Sequence, residues 1–333
     1  MRTLTVGSVA VSLYGVALAA SAVLAALLTF LSARKQKDSR RAAGLFALLA
    51  PALGFLCAWL GYGLVNLNWV LEHGLQVMLL ETPRRLLPYG ALLGCILAAF
   101  LAARAAGGRA AALLDAMAAP AALFILLARL AEPLAGMGYG RNIYDWFDPW
   151  MEQSMIAWED PSALFRFPFA VQDYYSEWNF NISLPEALTA LALVILCLSM
   201  KKRRAGGKFL LTVLICAALQ ITWESMRQDA VMRWGFVPAN QLLSAVAVIV
   251  CTVVCYAALP RGSRNGWRLL PVSVGELLCA GVAMAMEFAL EKKIGFLVRM
   301  RMDACYLVML AACAAMIAVA LPLWRKAFPL GKD

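Results

Sequence analysis

The chain has 333 residues, 63% of them hydrophobic and 15% charged, with a mean hydropathy of +0.74. A water-soluble domain of that length has no interior large enough for so much apolar surface, so lipid is the solvent for much of it. The net charge of +10 comes in short bursts between apolar runs, with no nucleic-acid-binding module beside it, which sets nucleic acid aside and points to membrane loops.

Apolar runs of spanning length fall at 7–31, 43–67, 88–105, 110–131, 184–200, 208–226, 237–259, 269–290 and 304–324. Backbone N–H and C=O groups find no water in hydrocarbon and must pair within each segment, so these runs are expected to be helices. The predicted fold is an all-α integral membrane protein, a polytopic helical bundle. Met1-Arg2 is only weakly basic, and the run after it exceeds a signal-peptide core and lacks a convincing cleavage site. It is read as a retained first helix.

Five connectors or ends, 34–41, 104–109, 201–208, 261–268 and 325–332, hold 18 of the 30 Lys and Arg residues. They follow the first, third, fifth, seventh and ninth runs and so share one side. The positive-inside rule makes that side cytoplasmic, with the N-terminus outside and the C-terminus inside. The connector 291–303 runs against this scheme, since it carries Lys292, Lys293, Arg299 and Arg301 yet falls on the outer side. Glu276 and Glu287, eleven residues apart, share one face of the eighth run; a structural pairing within the bundle is expected ahead of a functional site, the alternative being a segment less deeply inserted.

The organisation expected is membrane helices over 1–133, an external head over 134–183, further helices over 184–260, and an extension of two helices over 261–333. The head holds seven acidic residues (Asp145, Asp148, Glu152, Glu159, Asp160, Asp173, Glu177) against Arg141 and Arg166, and thirteen aromatics, among them Trp146, Trp150, Trp158 and Trp178. Such amphipathic rings suit a head lying on the membrane interface. All nine cysteines fall in apolar runs, without a CxxC pair, and His73 is the one histidine. A zinc site has almost no ligands to draw on, no cofactor is expected, and the thiols read as small buried hydrophobes.

The rare ionisable groups of the apolar runs gather at one end: Arg129 and Glu132, Glu186, then Glu224, Arg227 and Asp229. Charge near hydrocarbon is costly, so such groups face a cavity, pair with one another, or hold a polar substrate. Arg129 with Glu132, and Glu224 with Arg227, also have the three-residue spacing of a plain helical ion pair.

Several short segments resemble the prolipoprotein diacylglyceryl transferases of bacterial inner membranes. Ser12-Leu13-Tyr14-Gly15-Val16 is similar to that family's first helix, and Ala58-Trp59-Leu60-Gly61-Tyr62 to its "ARLGY" segment. Pro88-Tyr89-Gly90-Ala91-Leu92-Leu93-Gly94 resembles "FHGGLIG", and Leu184-Pro185-Glu186-Ala187-Leu188 resembles "LYEAL". The helix 114–130 resembles the one leading into "GRxGNxxNGExxG", and Glu224 to Ala230 with Asn240 to Ser244 is similar to "EFFRxPDA…GQLLS". Order and spacing agree across about 10–260. Tyr14, Arg129, Gly136, Gly140, Glu186, Glu224 and Arg227 match, whereas Tyr89 stands where the family has histidine, Glu132 for its Asn, Met137 for its Glu, and Gln220 for a second arginine.

The resemblance implies transfer of a diacylglyceryl group from a phospholipid, phosphatidylglycerol or similar, to a cysteine thiol of a lipoprotein precursor peptide, with glycerol phosphate released. Tyr89, Arg129 and Glu132 are the implied catalytic residues, and Tyr14, Glu186, Gln220, Glu224 and Arg227 the implied lipid-binding ones. Guanidinium forks suit phosphate oxygens, which gives Arg129 and Arg227 their role. The thiolate is the nucleophile, so a base is required. Tyr89 is a weak base unless a cation such as Arg129 supports its phenolate, and Glu132 and Glu186 are the other candidates. Two rival readings stand beside this one: a lipid- or peptide-binding membrane protein that kept the fold and lost the reaction, and a transporter whose paired charges line a polar path.

Overall fold

A computed structural model describes residues 3–6, 9–35, 40–78, 86–143, 168–172, 177–229, 232–234, 237–264, 266–291 and 300–331. All nine apolar runs are helices. They are α1 (Leu13–Lys35), α2 (Arg40–Val65), α4 (Pro88–Ala106), α5 (Ala110–Ala131), α6 (Ser183–Ser199), α7 (Gly207–Met226), α8 (Ala239–Ala258), α9 (Gly266–Leu290) and α10 (Met302–Ala327), with a short α3 (Leu67–His73) after α2. Eight are long and apolar enough to cross a membrane. α6, with 17 residues, sits at the lower limit of about 17–25 for a span.

The first helix begins later than hydropathy suggests. Residues before it form an antiparallel pair, β1 (Thr3–Val6) and β2 (Val9–Ser12), in the register Thr3 to Ser12 and Val6 to Val9. Hydropathy does not separate a valine-rich strand from a helix; alternation with threonine and valine favours the strand. Beyond α5 lie β3 (Tyr139–Asn142), β4 (Ala170–Gln172) and β5 (Trp178–Asn181), a sheet ordered β3-β5-β4. Most of the expected aromatic and acidic head, 144–167 and 173–176, lies outside the described residues, as do Lys292, Lys293 and Arg299. Arg301 is exposed and bonds Asp303 at 3.0 and 2.8 Å. His73 is exposed as well, with Nδ1 3.0 Å from the carbonyl of Trp69.

Two apolar cores divide the bundle. One joins α1, α2, α4 and α5 through Phe46, Ala98, Ala99 and Leu113; the other joins α7, α8, α9 and α10 through Leu214, Val248, Cys313 and Met316. In the first core α2 and α4 approach backbone to backbone: a Cβ on Gly90 would lie 2.8 Å from the Cα of Ala58, and one on Gly94 the same distance from Gly54 Cα. Hydrophobicity drives little helix association inside lipid, so such small-residue contacts supply the packing. All nine cysteines are free thiols in this apolar setting.

α9 and α10 are packed against α7 and α8, and they bring the two glutamates of the eighth run inward. Glu276 accepts a hydrogen bond from Thr252, while Glu287 accepts from Ser225 and, at 3.3 Å, from Gln241. Both thus have hydroxyl or amide partners from the neighbouring helices, as an acid inside a bundle requires. At the opposite, basic end, Asp115 of α5 accepts from the N–H groups of Gly206 and Phe209 at 2.7 and 2.8 Å. It caps the first turn of α7, where unpaired N–H groups favour an anion.

Candidate functional site

The ionisable side chains that the sequence places near one end of different helices meet in a single buried network. Arg227, at the C-terminal end of α7, is its centre and is 4% exposed. Its Nε and Nη2 donate to the two oxygens of Asp229 at 3.0 and 2.6 Å. Nη1 donates to Glu186 at 2.7 Å and to Glu132 at 3.1 Å. Arg129, in the last turn of α5, forms an ion pair with Glu132 and another, at 3.2 Å, with Glu186. Glu132 and Glu186 therefore bridge the two guanidiniums. Planar forks opposite carboxylates are the geometry in which buried charge is best compensated.

The backbone builds the floor. α5 gives way to a 3-10 turn at Glu132–Ala135, after which Gly136 and Gly138 both have positive φ, at 64° and 80°. At Gly138 a side chain would also crowd Glu132 Oε2 at 2.8 Å, so only glycine fits. The N–H of Gly138 is then free to donate to Asp229 at 2.9 Å. Gly140 pairs with Arg227 as an isolated antiparallel bridge, and the Gln228 N–H donates to the Tyr139 carbonyl at 3.0 Å. These contacts hold the segment after α7 against β3 and fix Asp229 beneath the guanidinium. Burial works against the charge of Asp229, but the Arg227 guanidinium and the Gly138 N–H outweigh it and hold the carboxyl below its ordinary range.

A second, neutral part of the network adjoins the first. Gln220 donates from one nitrogen to Glu186 at 2.8 Å and to Glu224 at 3.1 Å. Asn240, in the first turn of α8, donates to the other oxygen of Glu224 at 3.1 Å. Among the described residues Glu224 is hydrogen-bonded to these amides and to no guanidinium. Tyr14, buried in α1, packs with Ala131 and Ala135 on either side of Glu132.

Tyr89 lies apart from the guanidiniums. Its hydroxyl is 2.6 Å from Ser244 Oγ, and Ser244 donates its single hydrogen to the carbonyl of Asn240 at 2.6 Å. The phenol is therefore the donor in its own bond and keeps its proton. Arg129 pairs with Glu132 and Glu186, and among the described residues no guanidinium bonds the Tyr89 hydroxyl.

A model of the prolipoprotein diacylglyceryl transferases matches residues 2–257. The chain belongs to the prolipoprotein diacylglyceryl transferase family. It is thus a multi-pass bacterial membrane protein whose family acts on lipid and lipoprotein-precursor substrates. No curated protein matches the chain. The family match ends before α9, so Glu287, which reaches Ser225 and Gln241 beside Glu224 and Asn240, is brought to this region by a part of the chain outside it.

Six of the eight residues singled out from sequence, Arg129, Glu132, Glu186, Gln220, Glu224 and Arg227, share this continuous bonded network; Tyr14 flanks it, and among the described residues Tyr89 joins through Ser244 and Asn240. The sequence reading did not single out Asn240, Gln241 and Ser244 as site residues, nor the Gly138 N–H. Three polar residues in the first turns of an otherwise apolar helix were the available signal for α8.

Proposed function

We propose that this protein transfers a diacylglyceryl group from an anionic phospholipid, phosphatidylglycerol or one like it, to the thiol of a lipoprotein precursor, at the outer face of the bacterial inner membrane. The observation that supports this most is the convergence of Arg129 and Arg227 from two helices, with the Arg129 side chain 17% exposed at the rim of the buried network. In this reading Arg129, the more exposed of the two guanidiniums, receives the phosphodiester, while Arg227 holds the carboxylates that orient it. The thiolate attacks the glyceryl carbon bearing the phosphate; a C–S bond forms, the C–O bond breaks, and glycerol phosphate departs with the electron pair. Glu224 suits the role of base for the thiol proton, because amides orient its carboxylate and no guanidinium among the described residues bonds it.

One observation favours a second reading, a binding protein that kept the fold without the reaction. Three carboxylates (Glu132, Glu186, Asp229) pair with two guanidiniums, Glu224 adjoins them through Gln220, and every nitrogen of Arg227 already donates to a carboxylate. An anionic head group must displace one of these acids or meet it protonated. Incubation of the purified protein with phosphatidylglycerol and a lipobox peptide, followed by peptide mass, separates the readings. The transferase produces a diacylglyceryl mass gain that Arg129→Ala abolishes. A peptide unchanged under conditions in which a histidine-bearing relative works assigns the protein to the binding class.

A further inference from the structure

We propose that the basic end of the bundle holds a second, structural lipid site, formed by α6, α7 and α10, for one anionic phospholipid of the leaflet opposite the ion network. Two adjacent hollows, of about 450 and 420 Å3, share Leu196 and Ile215 and so form one furrow along the lipid-facing side of α6 and α7. The 17 residues of α6 rise roughly 25 Å, so the furrow runs from near Glu186 at one end to the 201–208 loop at the other. Its basic half is walled by Ile317 and Leu321 of α10 and ends between Lys201 and Arg325, both exposed. The basic half of this furrow, an apolar hollow closed by cations, is roughly half the hydrocarbon thickness long and fits one acyl chain below a phosphate.

The surroundings make this end a built feature. Arg203 lies over the ring of Trp324 at 4.5 Å and donates to the Phe328 carbonyl at 2.8 Å. Arg204 donates to the Ala258 carbonyl at 2.6 Å, and Trp324 donates to Gly207 at 2.8 Å. The backbone of Arg203 bridges Leu330, and the Gly331 N–H donates to Lys202. The loop between α6 and α7 is thereby clamped to the end of α10. Arg203 also lines this hollow, but its guanidinium is stacked on Trp324 and donates to Phe328; Lys201 and Arg325 are the other two cations of the lining. Topogenic loop charge alone explains a basic end, but it requires neither the clamp nor an apolar channel ending between two cations. α10 lies beyond the family match, so this wall belongs to the extension. The site is independent of whether the outer network catalyses transfer.

The test is native mass spectrometry of the full chain released from detergent containing equal phosphatidylserine and phosphatidylcholine. Wild type and the control Arg104→Gln, which alters an exposed charge elsewhere at the same end, retain one phosphatidylserine at least tenfold in preference to phosphatidylcholine. The double variant Lys201→Gln/Arg325→Gln loses that preference. Leu321→Trp, which fills the channel and leaves the cations, loses the bound lipid too. Retention of phosphatidylserine by the double variant at the wild-type level, or no preference in the wild type, overturns the proposal.

Discussion

Arg227 and Asp229 are only two residues apart, yet their side chains meet in a bidentate pair at 3.0 and 2.6 Å, because the chain leaves α7 at Arg227 and turns back along β3. Both groups are almost fully buried. Without Asp229 the Nε and Nη2 donors of Arg227 lose their acceptors in a buried site, at about 1–3 kcal/mol each. Asp229→Ala is expected to lower stability by that order and to release the Gly138 N–H, measurable as a lower thermal midpoint in detergent. A variant as stable as the parent would show that the pair does not hold the segment.

The same carboxyl sets an acid limit. Against the desolvation that burial imposes, Arg227 and the Gly138 N–H keep Asp229 below its ordinary range in the folded protein. The unfolded chain therefore takes up the proton first as pH falls. Its stabilisation is complete above the unfolded value of about 3.9 and disappears as pH drops through the lower folded value. Asp229→Asn is expected to be less stable than the parent at neutral pH and to show a shallower loss of stability between roughly pH 5 and 2. Unfolding midpoints taken across that range check it; parallel curves for the two proteins would remove the linkage.

Hydropathy and charge made the helices legible because lipid leaves the backbone so few options. Nine apolar runs became nine helices, and Arg129, Glu186 and Arg227, distant in sequence, met because each lies at the same end of its span. What hydropathy could not separate is shown by Val9–Ser12, which is apolar enough for a helix and is a strand. Partnering was not legible either. Spacing places Arg129 one turn from Glu132, but only the fold shows that Glu132 and Glu186 each bridge two guanidiniums, that Gln220 ties Glu186 to Glu224, and that Tyr89 turns to Ser244. Those choices depend on how α5, α6, α7 and α8 are rotated against one another, which hydrophobic periodicity barely encodes when helices are apolar on nearly every side.

The extension is expected to support the site through Glu287. Its carboxyl accepts from Ser225 and Gln241, each the chain neighbour of a site residue. Glu287→Ala leaves two buried donors unpaired, at about 1–3 kcal/mol each. Glu287→Gln keeps an acceptor oxygen and is expected to cost less than half as much. The contrast is read from thermal midpoints of the two variants, with lipid transfer measured in parallel. Equal midpoints for the two substitutions would mean that Ser225 and Gln241 find other acceptors.

Tyr89 decides how far this chain has moved from its family's chemistry. The Tyr89 phenol is bonded to a neutral partner, the Ser244 hydroxyl, where the family has an imidazole. An imidazole there has an ordinary pKa near 6.5 and is a proton acceptor at neutral pH. A positioned general base contributes about 10²–10⁴ in rate. If Glu224 already takes the thiol proton, Tyr89→His adds little to peptide lipidation and Glu224→Gln abolishes it. If the site has lost its base, Tyr89→His raises transfer by that factor, and more when Gln220→Arg adds a third guanidinium, beside Glu186 and Glu224. Peptide mass gain under phosphatidylglycerol saturation reads both substitutions. A protein that stays silent as Tyr89→His/Gln220→Arg while still retaining phosphatidylglycerol is a binding protein, because the missing base and cation have then been supplied and the reaction has not returned.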